Sequence, residues 1–162
     1  MCGDCFIIRV VMKKIIINDL DDLENFASII LSEAKSYQNT SSQAVVIALS
    51  GNLGAGKTTL VQNIAKLLGI KETVNSPTFT IIKFYPLLGE FSHLIHMDAY
   101  RLENEMELRP LHFAEILKDK KHLVCIEWAE KIQTALPSEM IIINIELLAN
   151  GKREVSYLSI LK

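Results

Sequence analysis

Basic charge is scarce in this chain. Seventeen lysines and arginines stand against 19 aspartates and glutamates, a formal net charge of −2. Nucleic-acid affinity comes mainly from clustered Lys and Arg that neutralise phosphates, so the chain does not read as a self-sufficient nucleic-acid binder. Its densest basic cluster, Lys118 to Lys121, is interrupted by Asp119. Arginine is confined to Arg9, Arg101, Arg109 and Arg153. Long apolar runs are missing too. Ala44–Leu49 and Met140–Ile145 fall far short of the roughly 20 apolar residues of a membrane-spanning helix. Met1–Val11 lacks the basic start of a secretory signal. A cytoplasmic protein without membrane contact is the expectation. The three cysteines, Cys2, Cys5 and Cys125, make an odd count and no disulfide framework. Cys2 and Cys5 form a C-x-x-C, but it has neither the second pair of a zinc site nor the βαβ setting of a redox motif. The four histidines show no H-E-x-x-H spacing, and no nucleophile–base triad is evident.

What is present is an ordinary globular mix, 49% hydrophobic and 22% charged over 162 residues, the size of one domain. Met12-Lys13-Lys14 ahead of an apolar run resembles a natural start. Residues 1–12 are therefore expected to be an N-terminal extension and 13–162 a single domain. Lys13–Ile17 reads as a strand. Asp19–Tyr37 reads as an amphipathic helix, with Leu20, Leu23, Phe26 or Ala27, Ile30 and Ala34 at helical spacing. Ala44–Leu49 is a continuous apolar run, as in a strand buried on both faces. Lys57–Leu68 is helical up to Gly69. A β-rich segment over Thr78–Tyr85, a strand over His93–Met97, a helix over Leu111–Leu117 and a strand over His122–Ile126 follow. Met140–Leu147 and Glu154–Leu161, joined by Ala149-Asn150-Gly151-Lys152, predict an antiparallel hairpin. The expected fold is three-layer α/β of the P-loop NTPase type: a mostly parallel central sheet with antiparallel C-terminal strands.

The chemistry concentrates in Gly51-Asn52-Leu53-Gly54-Ala55-Gly56-Lys57-Thr58, a full match to G-x-x-x-x-G-K-[ST] between a buried strand and a helix. Glycines let the loop turn tightly and aim successive N–H groups at phosphate oxygens, and the following helix adds a favourable field for an anion. Lys57 is placed to reach the β- and γ-phosphates of ATP, and Thr58 to ligate Mg²⁺. Such a site also needs a carboxylate at the end of an apolar strand. Two are available. Glu127 ends the apolar run His122–Ile126, and Asp98 ends His93–Met97, a run broken by His93 and His96. Glu127 ends the better strand. Asp98 alternatively caps a helix beginning at Ala99. Trp128 reads equally as a core anchor or as a wall of the nucleotide pocket. Arg101 reads as an ion-pair partner of Glu103 or Glu105, or as a stabiliser of charge near the γ-phosphate. Thr78 and Thr80 lie where switch segments of P-loop proteins lie, although a strand threonine is the simpler reading.

Taken together, Gly51–Thr59, Ser76-Pro77-Thr78-Phe79-Thr80, His96-Met97-Asp98-Ala99-Tyr100-Arg101 and Ile126-Glu127-Trp128 resemble the bacterial TsaE (YjeE) family over nearly the whole chain from Lys13. The resemblance implies an ATPase required for making threonylcarbamoyladenosine next to the anticodon of tRNA. It also implies partners, TsaD and TsaB, with tRNA contacted only through the complex, and ATP and Mg²⁺ as cofactors. Carried over by motif, Thr58 and Glu127 are implied metal ligands. Asn52, Leu53, Gly54, Ala55, Gly56, Lys57, Thr58, Thr59 and Trp128 are implied nucleotide contacts. Lys57, Asp98 and Glu127 are implied to be needed for hydrolysis. Asn52 stands where the family often has an acidic residue, and Met1–Val11 has no clear counterpart. A small-molecule kinase is disfavoured by the lack of an Arg-rich lid, and a GTPase by the lack of N-K-x-D. A nucleotide-gated scaffold with negligible hydrolysis uses the same residues and stays open.

Overall fold

The computed structural model describes residues 12–159. Cys2, Cys5, the extension reading of Met1–Val11 and the end of the last expected strand lie outside them. A seven-stranded sheet runs through the molecule. Its strands are β1 (Lys13–Ile17), β2 (Val45–Ser50), β3 (Ile82–Pro86), β4 (His93–Asp98), β5 (His122–Glu127), β6 (Ile141–Leu147) and β7 (Arg153–Ser159), in the order β1-β7-β6-β2-β5-β4-β3. The central four, β6-β2-β5-β4, are mutually parallel. Antiparallel pairing occupies both margins, with β6–β7–β1 on one side and β3 against β4 on the other. The C-terminal hairpin is as expected. The antiparallel margins at β1 and β3 go beyond it.

Helices α1 (Leu20–Gln38) and α2 (Lys57–Leu67) cover one face of the sheet, and the short α3 (Phe113–Lys118) covers the other. Asp19 starts α1, its carboxylate accepting the Asp22 N–H at 2.9 Å. The α1 stripe Leu23, Phe26, Ala27, Ile30, Ala34 is buried as its spacing predicts, whereas Leu20 on the first turn is exposed. Strand β2 divides its residues between the two cores. Val45, Ile47 and Leu49 face α1 and α2, and Val46 and Ala48 face Phe113 and Ile116. That is why the run has no polar alternation.

Two expectations are corrected, and two elements are added to them. The strand expected over Thr78–Tyr85 begins only at Ile82, because Ile81 turns back with φ +65° and its N–H reaches the Pro77 carbonyl. The helix expected from Leu111 begins at Phe113, and two 3-10 helices, Glu105–Leu108 and Ala129–Ala135, were not anticipated. Among the described residues no helix is long and apolar enough to cross a membrane.

Candidate phosphate-binding site

The parallel strands set the site. β2, β5 and β4 lie side by side, with Leu49 in register with Glu127 and Glu127 in register with Asp98. Their C-terminal ends therefore present the start of the loop and both candidate carboxylates in one row. The loop 51–56 leaves β2 and enters α2 at Gly56, whose left-handed φ of +111° comes with no side-chain cap. The first N–H groups of α2 thus point outward with no side chain spent on them, which suits an anion. Gly51 is required by its surroundings: at φ +127° an added Cβ would overlap the backbone carbonyl oxygen of Ile145 in β6.

Lys57 is buried, yet its Nζ donates to the Gly51 carbonyl at 2.5 Å and to the Asn52 carbonyl at 3.0 Å. The ammonium also lies 4.0 Å from the centre of the Trp128 ring. Burial pulls its pKa below the usual lysine value, opposed by the charges of Glu127, Glu130 and Asp98. A poorly solvated cation beside a loop of outward N–H groups favours an anionic ligand. The Thr58 hydroxyl meets Glu127, 2.8 Å from one carboxylate oxygen and 3.0 Å from the other. His96 Nε2 lies 2.8 Å from the first of these oxygens.

Asp98 is equally buried and differently used. Its Oδ2 accepts the hydroxyls of Ser76 and Thr78, each at 2.7 Å, and its Oδ1 accepts the Tyr100 N–H at 2.9 Å. No helix follows, so Asp98 caps a turn and not the helix that its sequence position allowed. Thr78 is not a strand threonine; it is tied to Asp98, which links the 76–80 segment to the end of β4.

These groups line a cleft of about 350 Å³ that includes Lys57, Thr58, Asp98, Glu127, Trp128 and Arg153. Trp128 packs partly against the core on the α3 side, lines the cleft, and meets the Tyr100 ring at 5.1 Å with the planes tilted by 50°. Leu53, Gly54, Gly56 and Thr59 also line the cleft, whereas Ala55 is buried behind it. Asn52 contributes its carbonyl to Lys57.

Arg101 does not make the ion pair that one of its two readings expects. Its guanidinium lies 4.6 Å over the exposed Phe79 ring, and among the described residues it makes no ion pair with Glu103 or Glu105. Glu105 instead accepts from Thr134. The arginine inside the cleft is Arg153, at the start of β7, whose Nε donates to the Ala55 carbonyl at 2.8 Å. Sequence reasoning missed Arg153 and His96. The signals for His96 were the break in the β4 apolar run and its place at the head of His96-Met97-Asp98-Ala99-Tyr100-Arg101, neither of which gave it a role.

The donor set fits a hard divalent cation. A hydroxyl and a carboxylate are held in contact beside a phosphate-type loop, which matches how Mg²⁺ is bound by one or two protein oxygens together with phosphates. Among the described residues no group of three or more His, Cys, Asp or Glu forms an all-protein metal cage.

Known proteins resemble the chain over most of its length. Residues 17–155 match the family model described as threonylcarbamoyl adenosine biosynthesis protein TsaE. Three proteins named tRNA threonylcarbamoyladenosine biosynthesis protein TsaE are similar to the chain. The one from Bacillus subtilis is 42% identical over 71% of this chain and 70% of its own length. That from Treponema pallidum is 38% identical over 68% and 79%, and that from Rickettsia bellii 32% identical over 87% and 91%. A crystal structure of Bacillus subtilis YdiB superposes with a TM-score of 0.68 at 30% identity, covering 93% of this chain and 87% of that one.

Proposed function

The chain belongs to the TsaE family of tRNA threonylcarbamoyladenosine biosynthesis proteins, and on that premise we propose that it is a magnesium-dependent ATPase working with TsaD and TsaB. The observation that supports this best is the contact of Thr58 with Glu127 at 2.8 Å, at the mouth of a complete phosphate-binding loop. In this reading the 51–59 backbone holds the phosphates of ATP and Lys57 adds a positive charge to them. Thr58 and Glu127 hold the metal. Bound there, Mg²⁺ supplies charge neutralisation on the phosphates. Asp98 keeps Ser76, Thr78 and the Tyr100 turn against the site, and Trp128 forms a wall.

Turnover by the chain alone is slow in this reading. An arginine that reaches the transferring phosphoryl group contributes on the order of 10³–10⁵ in rate. Arg101 rests on Phe79 outside the cleft, and Arg153 is engaged with the loop. Partner binding that reorganises the 98–101 turn, or that supplies a cation, raises the rate. Charge supports an indirect role at tRNA, since acidic residues outnumber basic ones.

The test is steady-state ATP hydrolysis by the chain alone, with the TsaD–TsaB pair of the same organism, and by Glu127→Ala. Slow hydrolysis that rises with the partners, and that is lost in Glu127→Ala while ADP still binds, is the expected result. Full activity in Glu127→Ala would move the metal to Asp98. No hydrolysis in any mixture would leave a nucleotide-gated scaffold.

A further inference from the structure

We infer that His96 is a positioning residue for the Glu127 carboxylate, fixing its rotation so that it can take a divalent cation together with Thr58. This rests on the proposed reading of Glu127 as a metal ligand and adds to it a residue of the neighbouring strand.

The placement follows from strand parity. On β4, Leu94, His96 and Asp98 share one face, and on β5 so do Leu123, Cys125 and Glu127; Leu94, Leu123 and Cys125 pack into the core beneath α1 and α2. His96 is fully buried among them. Its Nε2 is 2.8 Å from Glu127 Oε1, and its Nδ1 is buried with no hydrogen-bond partner among the described residues. Only one arrangement of a neutral ring suits both facts. With the proton on Nε2, the ring donates to the carboxylate and leaves a lone pair on Nδ1. The other tautomer sets a lone pair against a carboxylate oxygen and buries an unpaired N–H, which is costly.

The neighbours show why this matters. Glu127 has two side-chain donors, the Thr58 hydroxyl and the His96 ring. A Thr58 hydroxyl that ligates a cation does so through a lone pair and keeps a proton to donate. His96 is the donor to the carboxylate that the cation does not recruit. Mg²⁺ demands near-ideal octahedral geometry, and loss of a hydrogen bond that orients a metal-binding ligand typically costs 10–100-fold in metal affinity. Apolar side chains fill the rest of this stretch at Leu94, Ile95 and Met97. Among the described residues, a histidine in that company has the carboxylate as its one hydrogen-bond partner.

Metal affinity is read directly by electron paramagnetic resonance of Mn²⁺ titrated into the full chain with saturating ADP, and ADP affinity in EDTA by calorimetry. In His96→Gln the amide nitrogen stands near the Nε2 position, whereas in His96→Asn it stands near Nδ1. The inference expects His96→Asn and His96→Leu to weaken Mn²⁺ binding about 10–100-fold with metal-free ADP binding unchanged, and His96→Gln to recover most of the loss. Thermal melts identify any variant that does not fold. If His96→Leu is lost in this way, the Gln–Asn contrast decides alone. Equal Mn²⁺ affinity in the Gln and Asn variants overturns the inference. Glu127→Ala separates the two levels. If it abolishes Mn²⁺ binding while the His96 variants bind normally, only the role of His96 fails. If Glu127→Ala itself binds Mn²⁺ normally, the metal-ligand reading fails and the inference with it.

Discussion

Gly51 offers the sharpest test of the loop geometry, because its neighbours make the cost of a single methyl group large. At φ +127° the backbone lies where side chains are rarely found, a strain of about 1–3 kcal/mol for alanine. The new Cβ would also overlap the Ile145 carbonyl oxygen and stand 3.1 Å from that carbonyl carbon. Ile145 cannot yield freely, since β6 is paired to β7 with Ile145 opposite Val155. Forcing the two apart resembles overpacking, which costs typically about 1–3 kcal/mol. Together Gly51→Ala should lose roughly 2–6 kcal/mol from a domain whose whole stability is about 5–15 kcal/mol. Gly54→Ala is the matched control. Gly54 also has positive φ, +78°, but no atom lies within 4 Å of the added methyl, so only the left-handed backbone penalty of about 1–2 kcal/mol applies. Urea unfolding followed by circular dichroism should place Gly51→Ala about 1–3 kcal/mol below Gly54→Ala, the overpacking cost that Gly54 does not incur, or roughly 2–12 °C lower in Tm. Equal stabilities would refute the packing of the loop against β6.

Other outcomes follow from single contacts. Arg153→Ala removes the donor to the Ala55 carbonyl and should weaken ADP binding about tenfold in calorimetry, from roughly 1.5 kcal/mol of a charged hydrogen bond; Arg153→Lys, which lacks the planar fork, should not restore it. Unchanged ADP affinity in both would reduce Arg153 to a surface residue. Trp128, 4.0 Å from the Lys57 ammonium, should change its emission when MgATP binds, and an unchanged spectrum with binding confirmed by calorimetry would remove it from the nucleotide wall. Cys125 is fully buried, and burial pushes its thiol far above the ordinary range. In a Cys2→Ser/Cys5→Ser background it should therefore react with a thiol reagent only as fast as the protein opens, and labelling on mixing would contradict the sheet assignment.

Legibility in the sequence tracked how local each signal was. The phosphate loop could be read because all of its requirements lie within eight consecutive residues between a strand and a helix. Glu127 could be read because it ends an uninterrupted apolar run, and that run sits in register beside β2. Thr78 was misread because its β-branched shape matches a strand, whereas the Asp98 carboxylate, 20 residues on, captures its hydroxyl. Arg101 has acidic neighbours in sequence, but its guanidinium lies over an aromatic ring, Phe79, from another loop. Arg153 was invisible for a different reason. It reaches Ala55 from 98 positions away, through a hairpin whose register sets Arg153 opposite Leu147, and no short-range pattern encodes that pairing. His96 is the instructive case. Its interruption of an apolar strand weakens the claim of Asp98 in the sequence, yet parity alone puts it on the same face as Asp98. Once β4 and β5 are parallel neighbours, with His96 beside Cys125 and Asp98 beside Glu127, the histidine lies one diagonal step from the carboxylate. The polar residue that spoils a buried strand is there because of what the next strand ends in.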